Sequence, residues 1–130
     1  MERQPNEYRN KFSGRRCFIV GSGPSLNYFD EGRIVNAPVI AINSAIERVT
    51  FADYSVIGDT TAANKLADLC NTLFTTGKSN NLPKHYLVSL LDLGIWKNKQ
   101  VGVYGFSEDI TTGVYCGNTS AYIALQVACY

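Results

Sequence analysis

Arg15-Arg16-Cys17-Phe18-Ile19-Val20-Gly21-Ser22-Gly23-Pro24-Ser25-Leu26 is a short apolar run cut off by two glycines and a proline. Cys17 to Val20 is too short for a helix and continuously apolar, which predicts a parallel strand buried on both faces. Gly21 and Gly23 are expected to turn the chain tightly and let the backbone approach a ligand. Pro24 has its φ preset for the first position of a helix, where its missing N–H costs nothing. A strand, a glycine turn and a helix start together present free N–H groups and a helix dipole, and this combination suits a phosphate. The same spacing also serves as a plain tight connection between strand and helix. Leu26 occupies the third glycine position of the dinucleotide fingerprint, and no Gly-Lys-Ser/Thr follows within this loop, so it is neither standard phosphate loop. Ser22 and Ser25 either offer hydroxyls to a phosphate or cap the helix.

Working outward, the N-terminal segment 1–14 is polar and reads as an arm, and residues 15–130 are expected to form one domain, nucleotide-binding if the glycine turn holds a phosphate. Pro38 to Asn43 is a second apolar run ending on a polar residue, and Ser44 to Val49 a short helical piece. Tyr54 to Asp59 is a third run, closed by Gly58 and Asp59. Thr60 then starts a helix to about Cys70 with Ala62, Ala63, Leu66 and Leu69 as its inner stripe. Leu73-Phe74-Thr75 and Tyr86 to Leu91 are the fourth and fifth strand candidates, and Gly94 to Thr112 is irregular. From Asn118 to Tyr130 the chain is apolar nearly all round, which predicts a buried helix carrying Ala121, Ala124, Leu125 and Ala128 on one line.

Strands alternating with helices predict an α/β fold, a Rossmann-like parallel sheet of about five strands with flanking helices. Ligands of such sheets bind outside the carboxyl ends of the strands. That rule collects Gly21, Ser22, Gly23, Pro24 and Ser25 with Asn43 and Ser44 and with Asp59 along one rim.

The net charge of +1 gives no electrostatic case for nucleic acid, and no apolar run reaches membrane-spanning length. Four cysteines at 17, 70, 116 and 129 lack metal-ligand spacing, and most fall in apolar runs. They read as buried free thiols in a reducing cytoplasm. The lone His85, before the fifth strand candidate, is read as structural or surface.

Taken together, the motifs G-S-G-P-S-L, A-I-N-S-A-I, A-D-Y-S-V-I-G-D and T-T-G-V-Y-C-G-N-T-S-A-Y-I-A-L-Q-V-A resemble a family. They are similar to the Rossmann-like domain of motility-associated glycosyltransferases and hydroxymethylpterin diphosphokinases, and to bacterial CMP-sugar-dependent sialyltransferases. The resemblance covers about residues 15 to 130. It implies that the Gly21–Ser25 loop contacts the nucleotide phosphates and that Asn43 makes a second polar contact to the donor. It further implies that Thr112 and Gly113 form a turn beside that donor. Ser22 stands where the sialyltransferase pattern has asparagine. Those families continue into another strand and, in the sialyltransferases, a catalytic histidine, so the domain is expected to be partial, with its catalytic residues unknown.

The resulting expectation is a nucleotide- or nucleotide-sugar-binding domain, with Asp59 available to a divalent cation. Two alternatives remain: a pyrophosphokinase-like enzyme acting on a pterin-type alcohol, with Asp59, Glu108, Asp109, Lys65 and Lys78 as its charged groups, or a non-catalytic remnant of the same fold. An open sheet edge or an uncovered apolar face on the last helix predicts a homo-oligomer, with Ala121, Tyr122, Leu125 and Cys129 at or beside the contact.

Overall fold

The strand that fixes the architecture is β2, Val39–Ile42, whose four residues are all buried. A strand can be closed on both faces only when a layer of chain covers each side of the sheet. The computed structural model describes residues 4–34, 36–76, 87–91, 93, 105–115 and 119–130. Within them β1 (Phe18–Val20), β2, β3 (Tyr54–Val56), β4 (Leu73–Thr75) and β5 (Leu87–Ser89) form one parallel sheet in the order β1-β2-β3-β4-β5. The α/β fold with a five-stranded parallel sheet and flanking helices is therefore the observed one. The expected strand start at Tyr86 lies outside the described residues.

Side chains alternate across the sheet and sort its core into two layers. On one face Val39, Ala41, Ile57, Leu73 and Leu87 pack against Ala45, Ile46 and Val49 and against Ala63, Leu66, Ala67 and Cys70. The segments joining β1 to β2, β2 to β3 and β3 to β4 thus all lie on this side, as a sequential strand order with crossovers of one hand requires. On the other face Ile40, Ile42, Val56, Phe74 and Val88 meet Ile110, Val114, Ile123 and Ala124. Helix α2 (Ser120–Cys129) and the segment 105–115 supply that cover.

Three expectations are corrected here. β1 is an edge strand rather than one buried on both faces, and Ile19 is 36% exposed. Strand order, which no single strand's composition encodes, puts it there. Helix α1 spans Thr60–Leu66 and continues as one 3-10 turn, Ala67–Leu69. Tightening of that last turn rotates Ala67 and Cys70 inward and leaves Leu69 46% exposed, so the inner stripe is Ala63, Leu66, Ala67 and Cys70. Helix α2 is covered on two sides only: Ile123, Ala124 and Gln126 are buried, while Ala121, Leu125 and Cys129 remain exposed at i, i+4, i+8 spacing.

Gln126 joins α2 to its covering segment. Its Oε1 accepts from the Ser107 and Tyr115 N–H groups, each at 3.0 Å. Its Nε2 donates to the carbonyls of Tyr115 (2.7 Å) and Tyr122 (3.0 Å). The side chain has no solvent exposure, so these bonds are its full hydrogen-bonding capacity. Gln126→Leu keeps the volume but strands the Ser107 and Tyr115 backbone groups. Each buried unpaired group costs about 1–3 kcal/mol, so a loss of about 2–4 kcal/mol is expected in urea unfolding. A loss comparable to a surface substitution would show that water replaces the amide.

Candidate functional site

Register brings the strand ends level. Val20 pairs with Ala41 and Ile42 with Val56, so the chain leaves β1, β2 and β3 at one height. Gly21–Ser25, Asn43–Ser44 and Gly58–Asp59 consequently follow one another along the carboxyl rim, with β1 and β3 two strand spacings apart, about 10 Å. All eight rim residues singled out from sequence, Pro24 among them, are open or half-open to solvent.

The loop after β1 is built differently from the expectation. Neither Gly21 nor Gly23 has positive φ; Gly23 lies at φ −65°, ψ 165°, an extended conformation open to any residue. Glycine here supplies space rather than a special angle: nothing lies within 4 Å of the position a Cβ would take at either residue. Pro24 does begin a helix, but a single 3-10 stretch of five residues, Pro24–Tyr28, ending where Phe29 becomes extended. Asp30 then caps a second such turn, Glu31–Arg33, by accepting from the Gly32 N–H at 3.0 Å. The Ser22 and Ser25 hydroxyls cap nothing in it. Gly21 and Ser25 also line an open groove of about 600 Å³ along the free side of β1, with Leu26, Phe29, Asp30 and Arg33.

At the end of β2 the left-handed conformation falls on Asn43, at φ 52°, a residue type that tolerates it. This turns the chain at once into the 3-10 stretch Asn43–Glu47 and holds Asn43 half-buried, with Ser44 exposed. Asp59 is the N-cap of α1: its Oδ1 accepts from the Ala62 N–H at 2.9 Å. Its carboxylate is therefore partly committed to the helix. Among the described residues, no group of three or more His, Cys, Asp or Glu side chains is placed to hold a metal ion.

The sequence reading missed one contributor to this rim. The Gly58 N–H donates to Ser120 Oγ at 3.1 Å, which sets the start of α2 against the end of β3. Thr119 caps that helix by accepting from the Ala121 N–H at 3.2 Å. The signal was present as Thr119-Ser120 ahead of an apolar run, a helix-start signature. The positive end of the α2 dipole thus faces the rim.

Thr112 and Gly113 are placed elsewhere. Gly113, at φ 129°, lies against the Leu91 carbonyl just beyond β5, and β5 is the opposite edge of the sheet from β1, about 19 Å away by strand spacing. Thr112 Oγ1 donates to the Asp109 carbonyl at 2.8 Å. Asp109 itself faces Arg9 at 3.6 Å, and hydrogen bonds from Thr111, followed by the Arg9 charge, hold its carboxyl below the usual range. Asp59 and Asp109 are thus not gathered into one acidic site; Lys78, His85 and Cys116 lie outside the described residues.

Compared with known proteins, the chain matches no family model, no curated protein and no solved structure.

Asp59→Ala removes a helix cap and is expected to cost about 0.5–2 kcal/mol in urea unfolding, whereas Asp59→Asn, which caps as well, retains most of the stability. Equal losses in the two variants would show that the charge, not the cap, matters at this position.

Proposed function

We propose that the carboxyl rim of β1, β2 and β3 binds a nucleotide or nucleotide sugar, in the manner of a glycosyltransferase donor domain. The observation that carries this reading is the register, which aligns three polar strand ends beside one another. Phosphate oxygens lie over Gly21–Ser25, where the space above both glycines is open. The Asn43 amide and the Asp59 carboxylate oxygen not used in capping take base or ribose hydroxyls, and the α2 N-terminus favours the negative charge. Thr112 and Gly113 have no part in the proposal, since they stand at the far edge of the sheet. No helix among the described residues is long and apolar enough to cross a membrane. The proposal places the chain in the cytoplasm, with its thiols reduced.

Isothermal titration with CMP, CDP, UDP and GDP tests the reading, and binding of at least one is expected. Gly23→Val should weaken that binding at least tenfold, about 1.4 kcal/mol, while changing stability by no more than about 0.5 kcal/mol, because its backbone angles and surroundings accept a side chain. Absence of heat with all four nucleotides rejects the site. Binding confined to ATP with magnesium would instead favour pyrophosphoryl transfer.

The exposed stripe of α2 supports self-association, with Ala121 and Leu125 at the contact and Tyr122 and Cys129 beside it. The unpaired edge of β1 and half-open Ile19 add apolar surface to the same molecule. Sedimentation at tens of micromolar is expected to show a concentration-dependent oligomer that Leu125→Glu dissociates. A monomer in both cases removes this part of the proposal.

A further inference from the structure

The end of the sheet opposite the rim carries a second cluster, independent of the nucleotide reading. There the N-terminal segment folds back over the sheet: Tyr8 meets Phe74 and Tyr54 edge-on, with centroids at 5.2 and 5.8 Å. The Asn10 N–H donates to the Tyr130 carbonyl at 2.9 Å, which joins this segment to the end of α2. Between them lies a cavity of about 280 Å³, and Cys17, just before β1, and Cys129, the last residue of α2, both line it. Neither is the buried inert thiol expected from its apolar neighbours: Cys17 is half-buried and Cys129 exposed.

We infer that Cys17 and Cys129 form a dithiol site for thiol–disulfide exchange with low-molecular-weight disulfides, closing into an intramolecular bridge between the start of β1 and the end of α2. The difference in exposure orders the steps. Cys129, as thiolate, attacks one sulfur of the small disulfide; that S–S bond breaks, and one small thiol leaves with a proton. Cys17 then loses its proton and attacks the Cys129 sulfur, expelling the second small thiol, which takes up that proton. Two protein thiols are oxidised by two electrons, and the small disulfide is reduced to two thiols. Burial first, and the charge of Cys129 second, push the Cys17 thiol up. Once Cys129 is in the mixed disulfide that charge is gone, so Cys17 becomes the better nucleophile when it is needed to resolve the adduct. The bridge would pin the α2 terminus to the edge strand. In a reducing compartment such a bond is transient and reports the redox state.

The test treats the full chain, in dilute solution, with oxidised glutathione, followed by intact mass measurement and peptide mapping without reduction. The wild type should lose the mass of two hydrogen atoms and yield a Cys17–Cys129 cross-linked peptide with no lasting glutathione adduct. C17S should trap one glutathione on Cys129. A persistent adduct on wild-type Cys129, a bridge to Cys70 or Cys116, or a Cys129–Cys129 link between two chains would each overturn the inference. The nucleotide titrations are carried out on reduced protein, so their failure and the failure of this pair are separable.

Discussion

The structure follows from covering both faces of β2. All four of its residues are buried, and alternation sends two of them to each side, so a single layer of helices cannot suffice. Chain order solves one face locally, because the connections from β1 to β2, β2 to β3 and β3 to β4 return on the same side. The second face has no local solution. It is closed by α2 and the segment 105–115, drawn from far along the sequence, together with Tyr8 from the opposite terminus. This non-local layer needs a specific fastening, and Gln126 provides it through three hydrogen bonds to Ser107 and Tyr115 at a site without solvent. Asp53 does the corresponding work on a smaller scale: its Oδ2 accepts from the Val39 N–H at 3.0 Å and sets the start of β2 against the approach to β3.

A parallel sheet also makes its two ends chemically unequal. Every strand leaves at one rim, and that rim collects the turn residues, here Gly21, Asn43 and Gly58. The direction of α2, with its N-terminus at Gly58 and its C-terminus at Asn10, adds a helix start to one end and a thiol to the other.

The parts legible in the sequence are those determined by neighbouring residues. Val39–Ile42 and Leu73–Thr75 fall inside the predicted runs because an apolar stretch bounded by polar residues has one stable use. Pro24 begins a helix because its φ is fixed covalently. Strand order, by contrast, is a relation between distant segments; hence Cys17–Val20, which has the composition of a central strand, could become an edge with Ile19 half-open. The same blindness misjudged Cys129, whose apolar neighbours on α2 conceal that its own side of the helix is uncovered. It also separated Thr112 and Gly113 from the Gly21–Ser25 loop, since nothing in a Thr-Gly turn states which strand it follows. Gln126 escaped notice because a polar residue in an apolar helix reads as its solvent side, when it is the residue that binds the cover.

The two regions of chemistry can be treated separately on physical grounds. α2 has ten residues and rises about 1.5 Å for each, which places its ends about 15 Å apart. Substitutions more than about 7–10 Å apart that share no partner are close to additive. Gly23 lies on the rim at the edge strand's carboxyl end, and Cys129 lies at the cavity by that strand's start. Among the described residues they share no hydrogen-bond partner, so a change at one leaves the local energetics of the other unchanged. Coupling between them would require α2 to shift as a rod, against the three bonds that Gln126 makes to Ser107 and Tyr115 and the Ser120–Gly58 contact. The fastening that closes the second face of the sheet therefore also insulates its two ends.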